Sequence, residues 1–373
     1  MVTHEDAAPG LAELALAAVH DRLGARYVEE RGFAVPSDYG DPDGELAALR
    51  SGLAVLDLSW SSRLELRGRD RHRFLNGLVT SNTVALSSGR GIYGFLLSKA
   101  GRVLADVYVT ALPDRLWLEL PAGTGETARR HLEGYRVIDD VEVASLDDLA
   151  TLAVLGPKAA AALGEPAASL ELDSNTRARI AGCEVQVARR RVFGVDGWVL
   201  WAPASLGEEI LADLIEAEPA ARSAANGSRA VGLQALDTMR IEAGIGRWGV
   251  DFDERTVANE TGLVEAAIDF TKGCYLGQEI VARIHYRGKP GALCCPLEIT
   301  ARSESPLLPS TIRSVPVSGG VSEEIGTLTS AVPGAGSGSW LAIGTLSRRA
   351  LDAAVPMALT GGGMVAPRRL RSG

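Results

Sequence analysis

The sequence is short of the residues that build covalent frameworks, membrane anchors and broad nucleic-acid surfaces. Four cysteines in 373 residues are too few for a disulfide framework. Cys183 and Cys274 each stand alone, and only Cys294 and Cys295 adjoin. There is no CxxC pair and the five histidines are scattered, which argues against a structural zinc site, so no metal is expected. No segment approaches the roughly 18 consecutive apolar residues of a membrane helix. Residues 1–9 hold His4, Glu5 and Asp6 without a basic stretch, so a secretory leader is not expected and a reducing cytoplasm is the expected setting. A net charge of −9 denies a broad electrostatic footprint for nucleic acid, while leaving room for a local basic groove. Lysine is scarce: only Lys99, Lys158, Lys272 and Lys289 stand among 38 basic residues.

What is present describes a packed protein of more than one lobe. Apolar residues make up 46% and charged residues 23%, ordinary for a globular chain. The length suits two or three packed units. Residues 11–19, rich in alanine and leucine, read as a helix, and 36–43 as turn. Residues 52–67 read as a strand in which Leu64 and Leu66 alternate with Arg63, Glu65 and Arg67. A short helix is expected over 70–78. Gly101 between the apolar runs 93–97 and 103–112 predicts a hairpin. Further strands are expected at 151–155, 184–187 and 197–201, and helices at 159–163, 206–216 and 230–243, the last stopped by Gly244. Residues 219–227 read as a small polar linker. Beyond Gly291 the chain turns to glycine, serine and proline around short apolar stretches, which predicts a β-rich C-terminal domain with a hairpin loop at 332–339.

One run stands out chemically: Lys272-Gly273-Cys274-Tyr275-Leu276-Gly277-Gln278-Glu279. A thiol acts as nucleophile or ligand in its thiolate form, which a nearby cation or helix N-terminus favours. Lys272 lies two residues away, and Gly273 and Gly277 permit a tight backbone path. Arg283, His285 and Arg287 add positive charge further along. The competing reading is a glycine-rich turn around a buried cysteine, and spacing alone leaves both open.

The run resembles the signature of the YgfZ family of folate-binding proteins, whose mitochondrial relatives assist iron–sulfur protein maturation. Asp237-Thr238-Met239-Arg240-Ile241-Glu242-Ala243-Gly244 is similar to a segment of the glycine-cleavage T-protein and its aminomethyltransferase superfamily. Gly68-Arg69-Asp70, Phe74-Leu75 and Thr80-Ser81-Asn82 carry the same likeness, which runs from about residue 35 to 332. The resemblance implies an α+β, three-lobed aminomethyltransferase-like fold: a helical extension over 1–34, a folate-binding module over 35–287 and a C-terminal β-barrel over 288–373.

The resemblance also assigns candidate residues. Glu242 matches the carboxylate that binds the pterin ring, and a carboxylate can accept paired hydrogen bonds from a pterin's amino group and ring N–H. Its alternative is a solvated helix residue paired with Arg240 or another neighbour; Arg240 itself is placed with it as cofactor-binding. Asp106 matches the second of two acidic residues that follow a glycine pair, but Ala105 replaces the first and Arg102 the second glycine. That departure argues against simple transfer of the aminomethyl reaction. Tyr93 can stack on a folate or pack in the core; Trp248 and Tyr275 are further pocket candidates. Cys274, Lys272 and Asp106 are the candidate catalytic residues.

Three functions follow from this likeness. The first is a tetrahydrofolate-binding accessory protein for iron–sulfur cluster assembly or repair, supporting tRNA modification indirectly, with Cys274 as its thiol and iron–sulfur proteins or assembly factors as partners. No direct nucleic-acid or membrane partner is expected. The second is aminomethyl or one-carbon transfer to tetrahydrofolate; the third is a non-catalytic folate-sensing scaffold. Whether any reaction is catalysed stays open at this level. A cluster held by this chain alone is not expected, because clusters ordinarily take several cysteines.

Overall fold

Alternating apolar strands and amphipathic helices divide the chain between two compact units, each entered more than once. The computed structural model describes residues 10–216, 227–316 and 321–370. One unit comprises Met1–Asn76, Asn82–Tyr93 and Val107–Asp237; the other comprises Gly77–Ser81, Gly94–Asp106 and Thr238–Gly373.

The first unit is built on a six-stranded sheet in the order Ser174–Ile180, Cys183–Val192, Val195–Pro203, Leu149–Leu155, Leu53–Asp57 and Ser228–Ala230. Its final pair is parallel and its other pairs antiparallel. Every residue of Leu53–Asp57 is buried, the mark of a strand covered on both faces. Leu53, Val55, Leu152, Val154 and Leu200 share a core with Ile210, Leu211 and Leu214 of the helix Gly207–Glu216. Leu116–Leu120, Ser62–Arg67 and Glu142–Ser145 pair antiparallel in that order within the same unit, and the strands Gly91–Leu97 and Val103–Ala111 each run from one unit into the other.

The second unit contains a closed six-stranded barrel in the order Ala292–Thr300, Trp340–Ser347, Glu324–Pro333, Ser310–Ser314, Met357–Leu359 and Met364–Pro367. The first and last strands pair antiparallel and close it. Leu297, Ile299, Ile312, Leu328 and Leu346 fill its interior, as inward positions of a small barrel must. The fold is α+β with a C-terminal β-barrel.

Several local expectations need correction. Residues 11–19 are not one helix: the helix spans Ala17–Arg22, and Ala12 bridges Phe33 instead. The apolar density there serves tertiary packing, since Leu16 and Val19 join the sheet's core. Nor is the N-terminal segment purely helical, because Arg26–Glu30 pairs with Phe33–Asp38 as a hairpin. The stretch 52–67 is two strands, Leu53–Asp57 and Ser62–Arg67, divided by a turn in which the Ser61 amide donates to the Leu58 carbonyl. Alternation there did not mark a wet face. Arg63 is buried and bonded to Thr151, and Glu65 is buried and accepts from Arg115 and Trp117. The helix expected over 230–243 spans Leu233–Ala243. Residues 1–9 and 217–226 lie outside the described residues, the latter taking in all of the expected linker 219–227 but Gly227.

Candidate functional site

Seven of the residues singled out by sequence fall within the second unit: Asp106, Arg240, Glu242, Trp248, Lys272, Cys274 and Tyr275. Tyr93 belongs to the first unit and is half-buried.

The helix Leu233–Ala243 ends at Gly244, whose φ of +74° makes glycine the natural stop. Glu242 sits half-buried in its last turn. Its backbone carbonyl and that of Ile241 accept from the Arg368 guanidinium at 2.9 and 2.6 Å, so the helix end is tied to the chain's final segment. Arg240, two residues earlier, points elsewhere. It is fully buried and donates to Asp251 Oδ2 at 2.7 Å, to Ser330 Oγ at 2.9 Å and to the Ile245 carbonyl at 3.2 Å. Asp251 also accepts from the hydroxyls of Thr329 and Ser330 and from the Arg247 amide. This network joins the helix, the turn after it and a barrel strand. Arg240 therefore holds the frame that carries Glu242, and its guanidinium is engaged by protein rather than open to a ligand.

The run 272–279 divides into a strap and a helix start. Asp269 Oδ1 accepts from the Thr271 amide and hydroxyl and from the Lys272 amide, at 2.7, 2.6 and 3.1 Å, a side-chain-closed turn. Lys272 is buried, and its ammonium donates to the carbonyls of Val79 and Ser81 at 2.7 Å each. It also lies 5.1 Å from the centre of the Tyr275 ring. Burial lowers Lys272 to about 8, with Asp269 opposing the change. The segment it grips is held elsewhere too: Thr80 Oγ1 donates to the Ala267 carbonyl and accepts from the Phe95 amide.

Tyr275 is only 6% exposed, and burial pushes its hydroxyl up to about 12. That hydroxyl and Ser81 Oγ are both buried without a hydrogen-bond partner in the protein. Buried polar atoms are rarely left so. Trp248 is buried and donates from Nε1 to the Val103 carbonyl at 3.3 Å, so it supports the strand that leads to Asp106. Asp106 itself is half-buried, while Ala105 is buried.

Cys274 is exposed. Three residues on, Gly277 caps the helix Gln278–Arg287 at a φ of +82°. A Cβ there would lie 2.6 Å from the Ser98 carbonyl oxygen, so the close approach of the 98–102 turn demands glycine. The other cysteines are less accessible. Cys294 is buried and its thiol is pushed well up by that burial; Cys295 is pushed up to about 11 for the same reason.

Sequence reasoning missed Asp251 and Asp269, which organise the two halves of this region. Each is an acid among apolar or small neighbours, a position costly unless paired, and that signal could have marked them. A separate cavity of about 780 Å³ lies in the first unit, lined by Trp117, Trp201, Arg115, Arg177 and Gln186 among others, and by none of the candidate residues. Arg115 pairs there with Glu65 and Asp114, and Arg177 with Glu184, so its charges are internally matched.

With this geometry in view, the description "GCVT N-terminal domain" matches residues 16–272. The aminomethyltransferase of Bordetella avium is 33% identical over 257 residues, covering 66% of this chain and 68% of its own. That of Herpetosiphon aurantiacus is 28% identical over 336 residues, 88% of either chain. Among solved structures, the glycine cleavage system aminomethyltransferase T from Bartonella henselae shares the fold with a TM-score of 0.80 at 22% identity, over 96% of this chain and 97% of its own.

Proposed function

Because this chain belongs to the GCVT domain family, we propose that it binds a tetrahydrofolate and takes part in one-carbon transfer of the aminomethyltransferase kind. The observation that carries this reading is the pair of half-buried carboxylates, Glu242 and Asp106, within one unit of a chain whose curated relatives are named aminomethyltransferase.

The residues fit such a ligand. A pterin presents an amino group and ring N–H groups, which a carboxylate accepts as paired, charge-assisted hydrogen bonds. Glu242 would fill that role, and the frame from Arg240 to Asp251 would keep it in place. The unpartnered hydroxyl of Tyr275 supplies one more donor and acceptor in the same unit. When bound, tetrahydrofolate supplies the nitrogen that receives the carbon. Asp106 would hold or move a proton near the reacting nitrogen, as a positioned carboxylate does.

Two features favour a second reading. Ala105 stands where the glycine-cleavage enzymes carry the first of their two acids, and Cys274 presents an exposed thiol. Together with the resemblance of the run 272–279 to the YgfZ family, they support a folate-binding accessory role in iron–sulfur protein maturation, with Cys274 as the working thiol. Tetrahydrofolate titration together with an assay for methylenetetrahydrofolate, using the aminomethyl-carrying protein of the glycine cleavage system as donor, separates the two. Folate binding with turnover upholds the first reading. Folate binding without turnover, joined to loss of iron–sulfur enzyme activity in cells carrying Cys274→Ser, upholds the second. Absence of folate binding ends both.

A further inference from the structure

The helix Gln278–Arg287 carries a charge arrangement that neither reading uses. Ile280, Arg283, Ile284 and Arg287 recur at helical spacing and so share one side. The first of them, Ile280, meets the turn 98–102. A Cβ on Gly101 would meet Ile280 Cβ at 3.1 Å, and Gly277 approaches the same turn. The turn contributes Lys99 and Arg102, both exposed, and the helix contributes Arg283 and Arg287, also exposed. None of these four has a carboxylate within ion-pairing distance among the described residues, whereas many surface arginines elsewhere in the chain are paired. Lys289 follows the helix and pairs with Asp352 at 3.3 Å.

An aromatic group borders these cations. His285 stacks on Phe270 with ring centres 3.7 Å apart and 15° between planes, and Tyr286 meets His285 edge-on at 4.7 Å. Tyr286 is 66% exposed, a large ring left on the surface. Acids lie along the same region: Glu279 stands one helical turn before Arg283, and the segment that bridges Arg102 through Val257 carries Asp253, Glu254 and Glu260. In a chain of net charge −9, unpaired cations of one sign beside an exposed ring form a local field that runs against the whole.

We propose that the face formed by the helix Gln278–Arg287 and the turn 98–102 is a docking surface for an acidic segment of a partner protein. Four cations without an ion-pairing carboxylate among the described residues attract acids at long range and fix register at short range. The Tyr286 ring offers the amphipathic contact area common at interface centres. The overall negative charge repels a polyanion as long and dense as RNA, which favours a protein segment with intermittent acids. Cys274, just before the helix, would lie at the margin of this footprint.

The full chain tests this with two fluorescent probes, a twelve-residue peptide with glutamate at every third position among serines and glycines, and a twelve-nucleotide polyuridine. Fluorescence anisotropy is expected to show peptide binding that weakens with added salt. The double variant Arg283→Glu/Arg287→Glu should lose at least about tenfold in peptide affinity, while Arg130→Glu on the first unit leaves it unchanged. If the charge reversal disturbs folding by circular dichroism, Arg283→Gln/Arg287→Gln takes its place with a smaller loss of the same sign. Peptide binding indifferent to these variants, absence of peptide binding, or tighter binding of the RNA than of the peptide would each overturn the proposal.

Discussion

Arg240 and Asp251 meet at 2.7 Å with side chains 1% and 0% exposed. An ion pair this deep is held by its surroundings as much as by its own attraction, because both charges have left water. Here Ser330, Thr329 and the Arg247 amide complete the shell around Asp251. The consequence is that a residue the sequence suggested for ligand contact serves as the anchor between helix, turn and barrel.

Removing one partner leaves the other charge buried alone. Asp251→Ala is expected to destabilise the protein by about 3–5 kcal/mol, read as a lower midpoint in urea unfolding. A cost near that of a surface substitution would show that the pair is not load-sharing.

Lys272 makes stability depend on pH in a defined direction. Its ordinary value is 10.5 and burial lowers it to about 8. Between those values the unfolded chain holds a proton that the folded chain has released, so unfolding free energy rises with pH across that window. Below about pH 8 the cost of burying the charge is present in full. Each pH unit between folded and unfolded values corresponds to ~1.4 kcal/mol. Lys272→Met strips the donor from the Val79 and Ser81 carbonyls and should lose about 1–3 kcal/mol at pH 7. Comparing denaturant midpoints of the two proteins from pH 7 to 10 should show wild type gaining on the variant as pH rises. A constant gap would exclude Lys272 as the titrating group.

Gly277 has a φ of +82°, and a Cβ would lie 2.6 Å from a backbone oxygen. Gly277→Ala should therefore cost upward of about 1–3 kcal/mol. Gly273, with nothing within 4 Å of its notional Cβ, should accept alanine within about 0.5 kcal/mol. Thermal melts of both variants decide this, and equal melting temperatures would contradict the cap geometry.

Glu242→Ala should weaken tetrahydrofolate binding by about tenfold to a hundredfold, the range expected for a lost charge-assisted hydrogen-bonding group. Calorimetric titration provides the measurement, with Cys274→Ser binding as wild type does. Unchanged affinity in Glu242→Ala would remove the pterin role from this residue without touching the family assignment.

The sequence made much of this architecture legible through local signals. The helix Ala159–Leu163 and the paired stretches within Cys183–Val192 and Val195–Pro203 lie where periodicity puts them. Gly244 and Gly101 mark a helix stop and a hairpin because positive φ is a local demand. Local pattern failed where burial was decided at a distance. Arg63 and Glu65 alternate with leucines as surface residues would, yet both are buried against partners dozens of residues away.

The same division runs through the candidate site. By itself the sequence determined the wider aminomethyltransferase family and the singular cysteine run, and it put forward Glu242 and Asp106 as candidates, since motif and composition are written residue by residue. Only the tertiary structure decided that Arg240 turns inward to Asp251, that Lys272 grips Val79 and Ser81, and that Cys274 stays at the surface. Those outcomes depend on desolvation and on partners from other segments. A charge's role follows from what surrounds it after folding, which no short stretch of sequence contains.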